Sequence, residues 1–204
     1  MTRYAFHFDG TRCTGCKTCE MACKDYKDLD LGVAYRKVYE VTSGETVRDA
    51  NGCFTSTCTS YPLSLSCNHC DDPACTKVCP TGAMHKRDED GVVLSDPDVC
   101  IGCGTCANAC PYGAPKVNAE RGVTSKCNFC MDYLDEGGRP ACVDACLMRC
   151  LDFGDIAELR GKYGDVCDVA PLPASDETRP SLVLGLPKNA GAEGIIINLD
   201  QELL

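Results

Sequence analysis

Hydrophobic and polar residues along this chain alternate over short segments and form no long periodic pattern. Residues 35–41 and 92–94 have the Val-, Tyr- and Leu-containing composition of β-strands. Residues 155–163 carry an amphipathic pattern that predicts a short helix, with Asp155 near its start and Gly164 at its end. All apolar runs are far shorter than the roughly 20 residues of a membrane-spanning helix. The pattern therefore predicts a loop-rich α+β fold with small elements and no direct membrane span.

The last part of the chain, residues 166–204, differs in character from the rest. From Ala170 onward it is rich in proline and shows little periodicity. We expect an extended C-terminal tail that wraps a partner or the second module of the fold. The alternative for such a composition is plain disorder.

Composition limits both the core and the choice of partners. The chain has no Trp and only five Phe, so aromatic side chains contribute little to a core. Its formal net charge of −10 disfavours nucleic acid and anionic lipid and suits docking against basic protein surfaces. Residues 1–10 lack a basic region followed by an apolar stretch, so we expect no secretory signal. Association with a membrane would then need a partner protein.

Cysteine supplies the strongest chemical signal. The chain contains 20 cysteines, and sixteen of them form four groups of four. The groups are Cys13, Cys16, Cys19, Cys23; Cys67, Cys70, Cys75, Cys79; Cys100, Cys103, Cys106, Cys110; and Cys127, Cys130, Cys142, Cys146. The first and third have the spacing C-x2-C-x2-C-x3-C, by which bacterial ferredoxins hold [4Fe–4S] clusters. Such close spacing disfavours a disulfide framework, and four groups predict four clusters.

The groups belong to an internal repeat. Residues 9–23 reappear as residues 96–110, and residues 66–70 reappear as residues 126–130. Each copy of the shorter segment is followed by a Pro-Ala-Cys-x3-Cys element. The order is A, B, A′, B′, which indicates the duplication of a two-group unit.

The repeat predicts which cysteines share a cluster, because in two-cluster ferredoxins the fourth cysteine of each run ligates the other cluster. The inner pair of clusters would be held by Cys67, Cys70, Cys75 and Cys110, and by Cys79, Cys100, Cys103 and Cys106. The outer pair would be held by Cys13, Cys16, Cys19 and Cys146, and by Cys23, Cys127, Cys130 and Cys142. We therefore predict two nested ferredoxin-like modules, each binding two clusters. The inner module takes residues 61–117, and the outer module takes residues 1–60 plus 118–165.

Other kinds of metal centre fit the cysteine spacing less well. Zinc ribbons use two C-x2-C pairs joined by a longer linker, and Rieske centres need two histidines. His69 lies inside the second group, but its equivalent in the repeat is Phe129, so we expect it not to be a ligand but to lie beside the ligands or to be exposed. Cys150 repeats the C-x3-C spacing after Cys146 and is the alternative ligand at that corner.

The loops that hold a cluster must turn backbone N–H groups toward sulfur. Gly15, Gly102 and Gly104 lie within the C-x2-C-x2-C runs and supply the necessary conformational freedom. No acid–base pair, nucleophile or phosphate-binding loop stands beside them, so we expect no catalytic residue on this chain. Cys53, Cys58 and Cys167 have no assigned role.

Motifs beyond the cysteine spacing resemble one protein family. They are Cys-Thr-Gly-Cys-Lys-Thr-Cys-Glu-Met-Ala-Cys at residues 13–23, Ser-Cys-Asn-His-Cys-Asp-Asp-Pro-Ala-Cys at residues 66–75, Cys-Pro-Tyr-Gly-Ala-Pro at residues 110–115 and Leu-Asp-Phe-Gly at residues 151–154. Over roughly residues 1–180 the chain resembles the iron–sulfur (electron-transfer) subunits of bacterial dimethyl sulfoxide reductases, in the molybdopterin oxidoreductase family. It departs at Leu147, where the family commonly has Pro, and at Cys150, where a small apolar residue is usual.

The resemblance implies four [4Fe–4S] clusters with this pairing, and no molybdenum cofactor on this chain. It implies a molybdopterin catalytic subunit as partner, together with a membrane anchor subunit that oxidises quinol. Single electrons would pass from quinol through this chain to the molybdenum subunit in anaerobic respiration. The complex would be membrane-associated through those partners, on the extracytoplasmic face if the catalytic subunit carries an export signal and cytoplasmic otherwise.

Two other functions predict different behaviour. A soluble polyferredoxin that serves a hydrogenase or formate dehydrogenase would share the cysteine pattern but would purify without a fixed large partner. A zinc-binding interaction module would be colourless, whereas iron–sulfur clusters give a brown protein.

We expect the cluster-free protein to be unfolded or molten. A core with so few aromatic residues offsets little of the conformational entropy that the chain loses on folding. Cluster binding is coupled to folding and can supply the missing stability. Far-UV and near-UV circular dichroism spectra before and after iron chelation measure this. A native-like spectrum after complete removal of iron would contradict it.

Overall fold

The computed structural model describes residues 2–188, 190 and 193–199. Its helices are α1 (Thr18–Tyr26), α2 (Ala74–Lys77), α3 (Thr105–Ala109), α4 (Met131–Asp135), α5 (Ala141–Asp144) and α6 (Ile156–Tyr163). Its strands are β1 (Tyr4–Asp9), β2 (Lys37–Ser43), β3 (Thr46–Arg48), β4 (Phe54–Ser56), β5 (Thr59–Leu65), β6 (Met84–Lys86), β7 (Val93–Ser95), β8 (Lys116–Asn118), β9 (Val123–Ser125), β10 (Leu151–Asp155), β11 (Leu182–Gly185) and β12 (Ile195–Ile196). Small mixed α and β elements of this kind agree with the expected class. Within the described ranges, no helix has both the length and the hydropathy to cross a membrane.

Two three-stranded sheets lie at the centre. The first has the order β10-β1-β11, with β10 antiparallel and β11 parallel to β1. The second has the order β12-β2-β5, and both neighbours of β2 run antiparallel to it. The first sheet therefore joins the beginning of the chain to strands that lie near its end.

Three two-stranded hairpins complete the sheets of the described residues: β3–β4, β6–β7 and β8–β9. Hairpin β6–β7 follows Cys79 and Pro80, and hairpin β8–β9 follows Cys110 and Pro111. The sequence repeat thus reappears as a structural one, in which a Cys-Pro step leads into a hairpin.

Helix packing brings the cysteine groups together in pairs. Helix α1 packs against α5, and α2 packs against α3. The first pair carries cysteines of the first and fourth groups, and the second pair carries cysteines of the second and third groups. Groups that are distant along the chain are therefore neighbours in space.

The main core consists of aromatic and aliphatic side chains interleaved with sulfur. Its apolar members include Phe6, Phe8, Val41, Leu63, Phe129, Leu182 and Leu184. Buried cysteines of the same core are Cys19, Cys67, Cys127, Cys142 and Cys150. Thiols thus occupy places that Val or Leu would fill in an ordinary domain, because free cysteine packs as a small apolar residue.

The predicted helix over residues 155–163 is confirmed. Helix α6 spans Ile156–Tyr163, and the carboxylate of Asp155 caps it by accepting a 2.8 Å hydrogen bond from the N–H of Ala157. Gly164 ends it, as expected. The strands lie close to their expected places, with β2 over Lys37–Ser43 and β7 over Val93–Ser95. Their ends are shifted because pairing with β5 and β6 determines them.

The C-terminal tail packs on its own molecule. Strand β11 lies parallel to β1, and Val183 and Leu184 are buried in it. Upstream of it, the carbonyl of Arg179 accepts a hydrogen bond from the N–H of Asp71. Disorder is therefore wrong for this part of the tail, because its Leu-Val-Leu run finds an open edge of the first sheet. Part of the expected tail, including residues 200–204, lies outside the described residues.

Leu184→Ala should destabilise the protein, because the 2% exposed side chain packs in the core from β11. We expect the free energy of unfolding to fall by about 2–5 kcal/mol. A guanidinium titration of the cluster-loaded protein, followed by its visible absorbance, gives the midpoint. Leu31→Ala is the control, since Leu31 is 77% exposed. Equal midpoints for the two variants would refute a structural role for β11.

Candidate iron–sulfur centres

The first and third cysteine runs begin with backbone in the left-handed region. Gly15, Gly102 and Gly104 have φ values of +68°, +63° and +72°, as the sequence predicted. A Cβ on Gly102 would lie 2.4 Å from the carbonyl oxygen of Gly122, so the site excludes larger residues. Lys17 takes the place of Gly104 in the first run, with φ +58°. These turns lead directly into α1 and α3, which carry the next cysteines.

Two threonines contact cysteine sulfur at equivalent places in the repeat. Thr18 Oγ1 lies 3.3 Å from Cys16 Sγ, and Thr105 Oγ1 lies 3.3 Å from Cys103 Sγ. These hydrogen bonds lower the pKa of both cysteines and so favour the thiolate that binds iron. Sequence reasoning missed the threonines, although the shared Cys-x-Thr-Cys pattern was a visible signal.

Backbone N–H groups also donate to ligand sulfur. The N–H of Met84 donates to Cys79 Sγ at 3.3 Å, and the N–H of Thr124 donates to Cys100 Sγ at 3.3 Å. Both donors stand at or next to hairpin strands that follow a Cys-Pro step. Such bonds hold the sulfur in place and are a lever on cluster potential.

One predicted ligand set surrounds a single small cavity. Its lining includes Cys67, Cys70, Cys75 and Cys110. Asn68 lines the same cavity, and its buried side-chain nitrogen has no hydrogen-bond partner in the described structure. Four sulfurs and an unused N–H donor suit a [4Fe–4S] cluster, which needs one thiolate per iron and accepts hydrogen bonds at its sulfides.

The crossing cysteines of the other sets also lie beside their predicted partners. Cys13 interacts electrostatically with Cys146, Cys23 with Cys127, and Cys103 with Cys79. Within the described ranges, no three His, Cys, Asp or Glu side chains converge as ligands of a single metal ion. The ligands of a cubane bind separate irons. The assignment of each cysteine to a cluster stays a prediction.

Contacts also run from one predicted set to the next. Cys19 of one outer set interacts electrostatically with Cys142 of the other. Cys127 of that second set interacts with Cys67 of an inner set. Cys75 and Cys106, from the two inner sets, pack in one small apolar cluster. The four sets therefore succeed one another through the molecule.

Burial keeps several of these thiols protonated when no metal binds them. It raises the pKa of Cys75 and Cys127 to about 12 and that of Cys70 to about 11. Neighbouring cysteines add to the effect in each case. Binding of iron must therefore release protons from these residues.

Cys146 and Cys150 compete for one corner. Cys150 is buried, and its N–H donates to Cys146 Sγ at 3.2 Å. Both thiols lie near Cys13, which interacts electrostatically with Cys146 and hydrogen-bonds with Cys150. The exposed Leu147 follows Cys146, whereas Pro follows both Cys79 and Cys110. Cys146 stays the predicted ligand because the Cys142–Cys146 spacing repeats that of Cys75–Cys79.

The remaining cysteines take no part in these sets. Cys53 and Cys58 flank β4 and are exposed, and Cys167 lies 3.8 Å from a carboxylate oxygen of Asp168. All 20 cysteines fall in the described part of the chain, and all are free thiols there.

His69 is buried, stacked on Phe129 with 3.8 Å between ring centroids. Its Nδ1 accepts a 3.0 Å hydrogen bond from the N–H of Val93. Burial, and then the charge of Lys126, hold the pKa of His69 well below its usual value, so the ring is neutral. The two residues at equivalent places in the repeat thus pack against each other.

Comparison with known proteins agrees with this chemistry. A 4Fe-4S dicluster domain matches residues 58–156, and a 4Fe-4S binding domain matches residues 11–27. The chain is 54% identical to the B subunit of the anaerobic dimethyl sulfoxide reductase of Escherichia coli (strain K12), over 95% of this chain and 93% of that subunit. The chain belongs to the family of anaerobic dimethyl sulfoxide reductase B subunits. The family predicted from the motifs is confirmed.

Two further relatives are similar to this chain over most of its length. The corresponding subunit of Haemophilus influenzae is 53% identical over 95% of this chain and 94% of its own length. The thiosulfate reductase electron transfer subunit of Salmonella typhi is 39% identical over 76% of this chain and 78% of its own length. The domain matches confirm that 4Fe-4S binding domains are present.

Cys146→Ser should remove one cluster, whereas Cys150→Ser should keep all of them. Serine is a poor replacement for a thiolate ligand, while the Cys150 sulfur only packs beside the site in this assignment. Iron and sulfide analysis, together with counting of reduced clusters by EPR, distinguishes the two variants. Loss of a cluster from Cys150→Ser alone would reverse the assignment.

Proposed function

We propose that this chain relays single electrons through four [4Fe–4S] clusters, from a quinol-oxidising membrane partner to a molybdopterin catalytic subunit. One observation carries the proposal. Cys110 ends the third group, yet it lines the same cavity as Cys67, Cys70 and Cys75 of the second group. This crossing of ligands between groups is the arrangement of a two-cluster ferredoxin.

In two nested modules, the crossing of a cysteine from one group to the site of another would occur in each module. In the proposal, residues 61–117 form the inner module, and residues 1–60 plus 118–165 form the outer module. The packing of α2 on α3 supports the inner module. The packing of α1 on α5 and the pairing of β1 with β10 support the outer module. The proposed ligand sets are those predicted from the repeat.

When bound, each cluster supplies a site that accepts and gives up one electron. The chain's own residues hold the ligand sulfurs and adjust their surroundings. Threonine hydroxyls and backbone N–H groups donate to sulfur at the exposed Cys16 and Cys103 and at the half-buried Cys79 and Cys100. Apolar packing excludes water from buried ligands such as Cys127 and Cys142. Hydrogen bonds, burial and local charge are the means by which a protein adjusts such sites.

The contacts between sets support a linear order. The outer set with Cys13 lies next to the outer set with Cys23, through Cys19 and Cys142. That set lies next to the inner set with Cys67, through Cys127. The inner set with Cys79 comes last. It lies next to the set with Cys67, through the packing of Cys75 and Cys106. A linear order leaves one set at each end of the row of sites.

Both ends of the line carry exposed apolar side chains. Leu147 and Met148 follow Cys146 at one end, and Leu147 is 73% exposed. Val99 and Ile101 flank Cys100 at the other end, and Ile101 is 63% exposed. Exposed apolar residues beside a redox centre suit docking of a partner. Two such faces support one partner at each end.

The partners follow from the family. Its members are named as the B component of a reductase, and a related protein is named as an electron transfer subunit. We propose that the catalytic subunit binds at one end of this chain and a membrane anchor at the other. The complex would then be membrane-associated through its partners, and its compartment would depend on the export signal of the catalytic subunit.

Charge substitutions at the two faces test the proposal. Leu147→Glu and Ile101→Glu should each weaken recovery of a different partner by ~10-fold or more, since a buried anchor commonly contributes over 1 kcal/mol. Leu31→Glu, on an equally exposed leucine, is the control. Affinity purification of the tagged chain from cells that express all subunits gives the measurement.

The same purification separates the proposal from a soluble polyferredoxin. A chain that carries its clusters but purifies alone, with all three variants alike, would refute a fixed subunit. A colourless, zinc-containing product would refute electron relay altogether.

A further inference from the structure

One arginine lies in the core without a carboxylate. Arg36 is 2% exposed. Its guanidinium donates to the hydroxyls of Ser64 at 3.2 Å and Ser66 at 3.0 Å, and stands 4.4 Å over the ring of Phe6. Its buried Nε has no hydrogen-bond partner among the described residues. A buried cation with neutral partners is costly unless negative charge lies nearby.

The charged neighbours of Arg36 are cysteines of the two outer sets. Ser64, which accepts from Arg36, lies with its hydroxyl 3.4 Å from Cys19 Sγ. Burial opposes the charged form of the arginine, but thiolates at Cys142, Cys19, Cys127 and Cys23 would outweigh it and raise the pKa of Arg36. Burial raises the pKa of Cys19, Cys23 and Cys127, so thiolates at these three positions depend on metal binding. Negative charge reaches this part of the core only when they bind a cluster as thiolates.

We propose that Arg36 is the fixed counter-charge shared by the two outer clusters and that it raises their reduction potentials. The inference rests on the proposed ligand sets of the outer module. Arg36 is a positioning residue, because it is not itself a ligand and acts on the clusters through its charge. Reduction adds one negative charge to a cluster, and a nearby fixed cation stabilises that form.

The effect should be uneven between clusters. Three of the four cysteines near Arg36, namely Cys23, Cys127 and Cys142, belong to one outer set, and only Cys19 belongs to the other. The potential of the cluster with Cys23 should therefore depend most on Arg36. The two inner clusters should depend on it least, since none of their predicted ligands is among its principal charged neighbours.

The test replaces the charge while keeping the length of the side chain. Arg36→Met removes the cation, and Arg36→Lys keeps it with fewer hydrogen-bond donors. Arg160→Met, on the exposed face of α6, makes the same change in net charge away from the core. The cluster-loaded protein is titrated with redox mediators, and each reduced cluster is followed by EPR.

We expect Arg36→Met to make reduction of the cluster with Cys23 at least tenfold less favourable, a fall of about 59 mV for a one-electron couple. Arg36→Lys should show less than half of that shift, and Arg160→Met should show none. Equal shifts in Arg36→Met and Arg36→Lys, or unchanged potentials in Arg36→Met, would overturn the proposal.

The number of clusters bound distinguishes a failure of this inference from a failure of the proposed function. Iron and sulfide analysis of the unaltered protein tests for four clusters, and fewer would undermine the ligand sets before any potential is read. Loss of only the outer clusters from Arg36→Met, with all four retained in Arg36→Lys, would also support the counter-charge. Loss of outer clusters from both variants would refute it, because the charge alone would then be insufficient.

Discussion

Buried sulfur is the constraint on which the rest of this structure depends. Thiols such as Cys19, Cys67, Cys127 and Cys142 stand in the main core among aromatic and aliphatic side chains. Burial raises the pKa of Cys19 and Cys127, so these two reach the thiolate state by binding metal. We therefore expect folding and cluster binding to be coupled in this electron-transfer subunit. The metal centres would complete a core that the side chains alone leave unfinished.

This constraint explains the way in which the chain is folded back on itself. In the proposed pairing, a ligand set closes only if its fourth cysteine returns from another segment, so packing between distant segments would be part of each site. Helix α1 meets α5, and β1 takes strands from both β10 and β11. The tail thus adds a strand to the same sheet that joins the two ends of the proposed outer module. Helices α2 and α3 carry cysteines of groups that are adjacent in the sequence, so a shorter stretch of chain connects them.

The duplicated halves meet at an aromatic contact in the middle of the molecule. His69 and Phe129 hold equivalent places in the repeat and stack on each other, and Phe6 packs beside Phe129 at 4.8 Å between centroids. The guanidinium of Arg36 lies over the ring of Phe6. The principal charged neighbours of Arg36 are cysteines of the outer sets. One core thereby presents different surroundings to its inner and outer sites.

The sequence by itself determined the features that depend on neighbours along the chain. The cysteine spacing, the glycines with positive φ and the capped helix α6 all follow from local geometry, and the repeat predicted which groups are related. Tertiary structure alone decided the strand ends, the place of β11 and the setting of Arg36. These depend on which distant surfaces meet, and no local pattern marks an arginine that will be buried among cysteines far along the chain. Adjacent residues determine local conformation, whereas burial and charge compensation arise only once distant segments have packed together.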